Sequence, residues 1–202
     1  LIHIDPWKKY PDYKKGLEHT VIAIEQLFKL NKNLKFEVGT EESIRRFEQE
    51  EFENLILDLK KKLKREHYNS IEYAVVQSGV GLDLMNMKNT GSFCAKRLRT
   101  MVKICKNNNL KSKEHNGDYL TVDEIRNRFN LGLDTINIAP EFGQIQTNVY
   151  IENMSNQKLK QFYNICYNSG KWKKWVKEES IKEEKDIIKV CGHYVFSDPS
   201  FK

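Results

Sequence analysis

Short apolar runs of strand length recur along the chain, and each run ends in a cluster of polar residues. The runs cover residues 1–5, 34–38, 73–76 and 135–139, and residues 111–115 form a weaker, polar strand segment between the last two. Between them, apolar residues return at three- and four-residue spacing, which is the pattern of an amphipathic helix. Strands that alternate with helices predict right-handed βαβ units and a parallel sheet.

The predicted helices fill the segments between the strands. Their apolar stripes cover approximately residues 17–31, 44–63, 98–105, 121–129 and 159–166. Thr40 is the expected N-cap of the second helix, because its hydroxyl could accept the first free amides. Thr121 and Glu124 have the spacing of a capping box that opens the fourth helix, and Gly132 is its expected stop.

Length and topology favour part of a TIM-type (β/α) barrel. Five strands and their helices account for the chain, whereas a complete eight-stranded barrel has typically about 250 residues. We therefore predict an α/β fold made of the last five β/α units, an incomplete barrel, in a single domain over residues 1–202. Because the chain starts inside a strand without methionine, an N-terminal part is expected to be absent. A doubly wound five-stranded sheet is the alternative.

Polar side chains follow the predicted strands at the points where they end. Asp5, Glu41, Gln77, His115 and Glu141 occupy these positions. The carboxyl ends of parallel strands meet at one end of a sheet or barrel, where α/β enzymes place their active sites. The pattern therefore predicts a site at that end.

Composition excludes several classes of protein. Hydrophobic residues make up 39% and charged residues 31% of the chain, and no apolar run approaches the length of a membrane span, about 20 residues. The four cysteines form no metal or redox motif. The net charge of +6 comes from lysines in helical patterns without a nucleic-acid motif. These features predict a cytoplasmic protein without a membrane or nucleic-acid partner.

Three strand-end segments together resemble the GatZ/KbaZ family of tagatose-bisphosphate aldolase subunits, whose members have a class II aldolase type of barrel. They are residues 39–41 (GTE), 75–80 (VVQSGV) and 114–121 (EHNGDYLT), in the order and spacing of the family. The aromatic and lysine-rich tail, residues 171–202, also resembles the family's C-terminal segment. Ser78 replaces the usual proline, and this departure at the rim concerns the substrate more than the fold.

The resemblance implies a role in carbohydrate phosphate metabolism, namely the reversible aldol cleavage of a ketose bisphosphate. It also implies that a divalent metal assists this reaction, and Zn²⁺ is the first candidate. Imidazole and carboxylate groups suit zinc, so Asp5, Glu41 and His115 are the expected ligands. Asp118 or Glu141 is then the expected general acid or base beside the carbonyl.

The substrate-binding residues expected on the same rim are Gln77, Lys113, Asn116, Gly117 and Gly143. Backbone amides of the glycine-containing loops would hold the phosphate of a phosphorylated sugar. Lys113 could add positive charge or form a Schiff base. Gln77 could orient a substrate hydroxyl or only satisfy neighbouring backbone groups.

Two further residues carry structural expectations. Glu37 faces the same side as Glu41 by strand alternation, and a buried carboxylate there needs a cation such as Lys35 or Lys113. His3 could equally be a hydrogen-bonded core residue. Both expectations concern the interior of the predicted barrel.

The sequence leaves the catalytic role open. Only two histidines lie at predicted strands, so the chain could instead be a non-catalytic subunit that stabilises a separate aldolase subunit, or a homo-oligomer. A third hypothesis is an interaction module with a positively charged tail. Convergence of Asp5, Glu41, Gln77 and His115 on one pocket would favour an enzyme, and separate ion pairs would favour an interaction role.

Overall fold

The computed structural model describes residues 1–201, so the last position of the predicted tail lies outside the described residues. The strands are β1 (Ile2–Ile4), β2 (Phe36–Val38), β3 (Ile71–Val76), β4 (Leu82–Asp83), β5 (Lys88–Asn89), β6 (Lys111–Glu114) and β7 (Thr135–Ile136). The α-helices are α1 (Tyr13–Leu30), α2 (Gln49–Lys62), α3 (Arg65–Tyr68), α4 (Ala95–Asn107), α5 (Val122–Asn130), α6 (Pro140–Asn153), α7 (Asn156–Ser169) and α8 (Glu184–Cys191).

Five strands form one parallel sheet in the order β1-β2-β3-β6-β7. All five predicted strands are present, and each pairs in parallel with its neighbour. The order follows the chain without a reversal, whereas a doubly wound sheet reverses at a switch point. The doubly wound alternative is therefore wrong. The singly wound sheet is compatible with part of a TIM-type fold, and closure into a barrel stays a prediction.

The chain divides into two compact units. The first contains Leu1–Gly81, Gly91–Gly117 and Thr121–Asn137, with the parallel sheet and helices α1 to α5. The second contains Leu82–Thr90, Asp118–Leu120 and the chain from Ile138 onward. The single-domain interpretation stays a prediction.

The two faces of the parallel sheet differ in chemistry. Side chains alternate along a strand, so Ile4, Phe36 and Val76 face one way and pack with the helices in a large apolar core. His3 pairs in register with Glu37 on the opposite face, and Lys113 belongs to the same face. The polar face of the sheet therefore carries the ionisable groups near the strand ends.

Helix starts follow local capping, and one prediction here is wrong. The capping box at Thr121 and Glu124 is formed, and Gly132 follows α5 with a φ of 98°, as expected for a helix stop. Thr40, in contrast, does not cap α2, which begins nine residues later at Gln49. Its buried hydroxyl donates to Asp5 across the strand ends and accepts no helix amide.

The second unit contains elements that the apolar pattern did not predict. The β4–β5 hairpin, α6 and α8 are new, while α7 matches the predicted last helix. The core of the second unit is built around Phe162, Trp172 and Ile187, all of which are buried. Within the described residues no helix is both long enough and apolar enough to cross a membrane.

Candidate active site

A buried carboxylate, Glu37 on β2, is the centre of the candidate site. Its side chain is 1% exposed, and it binds one cationic group with each carboxylate oxygen. Lys113 Nζ lies 2.6 Å from Oε2, and His115 donates a short hydrogen bond from Nε2 to Oε1. We call His3, Glu37, Lys113 and His115 the Glu37 cluster.

The expected partner of Glu37 is confirmed as Lys113, which reaches across β3 from β6. A carboxylate that is fully removed from water is costly unless it is paired and hydrogen-bonded. The two cations meet this requirement, and Glu37 in turn fixes their positions. The fold thus places the positive groups of Lys113 and His115 on either oxygen of the buried Glu37 carboxylate.

Both ring nitrogens of His115 contact a carboxylate. Its Nδ1 lies 3.6 Å from Glu41 Oε1, on the side opposite Glu37. The His3 ring lies against the His115 ring, with 4.9 Å between the ring centres. His3 donates from Nε2 to the carbonyl oxygen of Gly39 at 3.2 Å, so its Nδ1 keeps a free lone pair.

The pKa values of the cluster define its charges at neutral pH. Burial alone would lower the pKa of His115, but hydrogen bonds and charge from Glu37 and Glu41 outweigh burial and raise it to about 9. Burial alone would raise the pKa of Glu37, but His115 and Lys113 lower it to about 2. The pKa of His3 is lowered by burial and by the charge of His115. At pH 7, His115 is therefore an imidazolium and Glu37 a carboxylate.

Metal-ligating atoms also meet in this cluster. One atom each from His3, Glu37 and His115 lies within 4.8 Å of the other two. Two imidazoles and one carboxylate are a donor set that suits Zn²⁺. Before His115 could bind a metal it would have to release the proton that it donates to Glu37.

The predicted ligands Asp5 and Glu41 lie at the same rim but outside this triad. Asp5 accepts hydrogen bonds from Thr40 Oγ1 at 2.9 Å and from the Trp7 backbone amide at 3.2 Å. Glu41 contacts His115 and accepts from Asn116 Nδ2 at 3.3 Å. Their role as metal ligands stays a prediction, whereas His3, Glu37 and His115 are residues whose ligand atoms lie close enough together to share one ion.

Gln77 organises the loop that carries Glu41. Its amide nitrogen donates to the carbonyl oxygens of Thr40 and Arg45, and its amide oxygen accepts from the Phe47 backbone amide. The side chain is buried, and these bonds use both ends of the amide. The structure shows Gln77 satisfying neighbouring backbone groups, and its role in orienting a substrate hydroxyl stays a prediction.

The loop after β6 is closely packed. Asn116 has a φ of 59°, and Gly117 donates its backbone amide to the carbonyl oxygen of Asn137 at 2.9 Å. A Cβ on Gly117 would lie 2.4 Å from the Ile136 side chain. Gly117 is therefore needed for packing against β7, and its amide is already used. Phosphate binding by this loop stays a prediction.

The predicted acid–base pair and Gly143 belong to the second unit. Asp118 Oδ1 accepts from the backbone amides of Ala139 and Glu141, both at 2.9 Å, so it caps the start of α6. Glu141 accepts from the Tyr119 amide at 2.8 Å. Burial raises the pKa of Asp118. Their catalytic role stays a prediction.

Gly143 is not in a loop, which corrects the expectation on which its phosphate role was based. It lies in the first turn of α6, where a Cβ would come within 2.6 Å of the His193 ring. The missing side chain makes room for this ring. The backbone amide of Gly143 donates to the Ala139 carbonyl oxygen, which is the first helical hydrogen bond of α6.

His3 and Glu37 were not among the predicted site residues, although the sequence contained a signal for both. Each is a polar residue at an alternating position inside an otherwise apolar strand, on the same face as the strand-end residues. A charged group in such a position indicates a partner across the sheet. The register that brings both to His115 is a property of the tertiary structure.

The fold and the cluster define an α/β protein with a singly wound parallel sheet and a charged site at its carboxyl end. No family model and no curated protein matches the chain. A solved structure, the YdjI aldolase from Escherichia coli K12, is 10% identical with a TM-score of 0.47. The similarity covers 94% of this chain and 56% of the YdjI aldolase chain, so this chain spans little more than half the length of that aldolase. A likeness this distant assigns neither a family nor an activity.

Proposed function

We propose that the chain carries an aldolase-like lyase site that makes or breaks a carbon–carbon bond beside the carbonyl group of a small polar substrate. The observation that supports this proposal is the pair of cations, Lys113 and His115, held by the single buried carboxylate Glu37. Such a reaction passes through an enediolate, whose developing negative charge needs fixed positive groups. Cations that are already in position stabilise this charge without reorganisation.

His115 is the proposed proton donor. With a pKa of about 9 it keeps its proton at neutral pH, and a change of hydrogen-bond partner would bring that proton to a substrate oxygen. Glu41 is the proposed base, because its side chain is 30% exposed and lies against His115 Nδ1. A substrate bound at Glu41 would thus contact a carboxylate and an imidazolium at the same time.

A divalent metal is compatible with the cluster in its deprotonated form. His3, Glu37 and His115 would hold it, and Zn²⁺ bound there would polarise the substrate carbonyl as a Lewis acid. Lys113 would then remain as the cation beside Glu37 and limit the charge that the carboxylate shares with the metal. With zinc bound, His115 would have no proton on its metal-binding nitrogen to donate, so the zinc form is an alternative to the form in which His115 is the proton donor. The phosphorylated sugar belongs to both forms of the proposal.

A ketose bisphosphate such as tagatose 1,6-bisphosphate is the finer form of the proposal, based on the resemblance of the strand-end segments. We also propose that the protein is located in the cytoplasm. The second candidate function is a supporting subunit for a catalytic aldolase chain. It is favoured by the complete pairing of Glu37 within the chain, because an internally satisfied ion network can be purely structural.

The test measures release of triose phosphate from tagatose and fructose 1,6-bisphosphates, with and without added Zn²⁺. We expect His115→Gln to lower kcat/KM by at least about 100-fold. Glu72→Gln is the matched control, since Glu72 also pairs with a lysine of β6, Lys111, but near the other end of the strands. We expect its kcat/KM to stay within about twofold of the parent.

Equal losses in the two variants would contradict the assignment of the site. Absence of turnover with every ketose bisphosphate would leave the supporting-subunit function as the better proposal. Mixing the chain with a class II catalytic subunit would then raise the thermal stability of that subunit. Zinc stoichiometry of the parent and of a His3→Gln variant tests the metal separately.

A further inference from the structure

A cavity of about 520 Å³ lies at the amino-terminal end of the parallel sheet, away from the strand ends that carry the Glu37 cluster. It is formed where α3 leads into β3 and where the turn after α4 leads into β6. Its volume is within the range of pockets that bind small organic molecules. Neither the proposed lyase function nor any residue of the Glu37 cluster involves this cavity.

The charged groups that line the cavity are both positive. Lys60 comes from the last turn of α2 and Arg65 from the first turn of α3, and no carboxylate is among the lining residues. Within residues 1–201, neither side chain lies within ion-pair distance of a carboxylate. The contrast with Lys111, Lys113 and Arg128 is clear, because each of those has a carboxylate within 2.8 Å.

The position of Lys60 directs its charge toward the cavity. Its Nζ lies 6.0 Å from the centre of the Tyr68 ring, which lines the same space. Tyr68 is fixed in turn, because its hydroxyl donates to the carbonyl oxygen of Asn108 at 3.2 Å. The Lys60 ammonium group therefore lies beside a fixed aromatic ring that lines the same cavity.

The remaining lining residues supply both polar and apolar surface. Asn69, Asn108 and Asn109 contribute three carboxamides, of which that of Asn108 is anchored by a bond to the Ile104 carbonyl oxygen. Ile71 and Leu110, both largely buried, contribute a small apolar surface at the starts of the two strands. The cavity thus combines hydrogen-bond donors, two cations and an apolar wall.

We propose that this cavity binds a small phosphate-bearing organic molecule. Lys60 and Arg65 hold the phosphate, and Tyr68, Ile71 and Leu110 contact the less polar body of the ligand. A guanidinium binds two phosphate oxygens at once, while an ammonium adds a point charge, so the pair fits phosphate better than a single carboxylate. The cavity is also larger than inorganic phosphate needs, which is why an organic body belongs to the proposal.

Calorimetric titration of the full chain with adenosine monophosphate, inorganic phosphate and succinate tests the proposal. We expect saturable binding of the nucleotide, and displacement of the nucleotide by inorganic phosphate at higher concentration. Lys60→Gln and Arg65→Gln should each weaken nucleotide binding by at least about tenfold, the usual effect of losing a charged hydrogen bond. Both side chains are exposed at the cavity rim, so the variants are expected to fold.

Lys61→Gln is the matched control, because it removes the same charge from the neighbouring exposed position without touching the cavity. Its affinity for the nucleotide should stay within about twofold of the parent. The proposal is overturned by absence of saturable nucleotide binding, by an equal loss in Lys61→Gln, or by succinate binding as tightly as the nucleotide. Bisphosphate cleavage should be unchanged in all three variants, which separates this test from that of the lyase site.

Discussion

Replacing Glu37 by glutamine tests the electrostatics of the candidate site directly. The substitution keeps the size of the side chain and removes the charge that faces Lys113 and His115. The pKa of His115 stands at about 9 instead of 6.5, which corresponds to about 3–4 kcal/mol in favour of the imidazolium at about 1.4 kcal/mol per unit. Because burial opposes this shift, the carboxylates must supply more than the net effect.

We expect the pKa of His115 in Glu37→Gln to fall by at least about 1.5 units, since burial remains while the closer carboxylate is gone. The assay is an NMR titration of the imidazole signals, with His115 assigned from the spectrum of His115→Gln. Glu41→Gln is the control. Its carboxylate is more exposed and lies farther from the ring, so the fall should be smaller than about one unit. A pKa that stays near 9 in Glu37→Gln would refute the reasoning.

The same two groups predict how stability depends on pH. His115 has a pKa raised from 6.5 to about 9, so its contribution is complete below pH 6.5 and is lost as pH rises through about 9. Glu37 has a pKa lowered from 4.5 to about 2, so its contribution is complete above pH 4.5 and is lost toward pH 2. Thermal unfolding should therefore show the largest contribution of this pair between pH 4.5 and 6.5, and the loss of stability as pH rises through about 9 should be smaller in Glu37→Gln than in the parent.

Further substitutions test a buried ion pair of the first unit and the start of α6 in the second unit. Arg128→Met should lower the free energy of unfolding in urea by about 3–5 kcal/mol, because it leaves the buried Glu114 carboxylate unpaired, whereas exposed Arg126→Met should change it by less than about 0.5 kcal/mol. Asp118→Ala should cost about 1–2 kcal/mol by uncapping α6, and a cost near zero in the same assay would contradict the capping role. Gly143→Ala should cost about 1–3 kcal/mol through contact with the partly buried His193 ring, measured as a lower midpoint of thermal unfolding.

The sequence by itself determined the elements that rest on local interactions. Four of the five strands were visible as apolar runs, whereas the fourth, residues 111–114 (KSKE), contains no apolar residue and was the weakest of the predicted strands. The capping box at Thr121 and Glu124 was visible as a pair of residues three positions apart. Alternation along β2 also indicated that Glu37 needs a cation, and Lys113 was one of two named partners. These predictions succeeded because periodicity and capping depend on a few neighbouring residues.

Predictions that treated a residue alone were less successful. Thr40 has the chemistry of an N-cap, yet its hydroxyl binds Asp5, which is 35 positions away in the chain. Gly143 was expected in a loop because it is a glycine after the last strand, yet it lies in α6, where its missing side chain makes room for the His193 ring. In both cases a distant group, absent from the local sequence, decides how the residue is used.

Only the tertiary structure decided which polar residues form the site. The sequence placed His115 at a strand end, but the parallel register of β1 with β2 brought His3 beside Glu37, and the crossing over β3 brought Lys113 to the same carboxylate. Burial then set the charges, since a carboxylate removed from water keeps its charge only beside cations. Strand register and burial are properties of the assembled chain, and no short segment of this sequence specifies them.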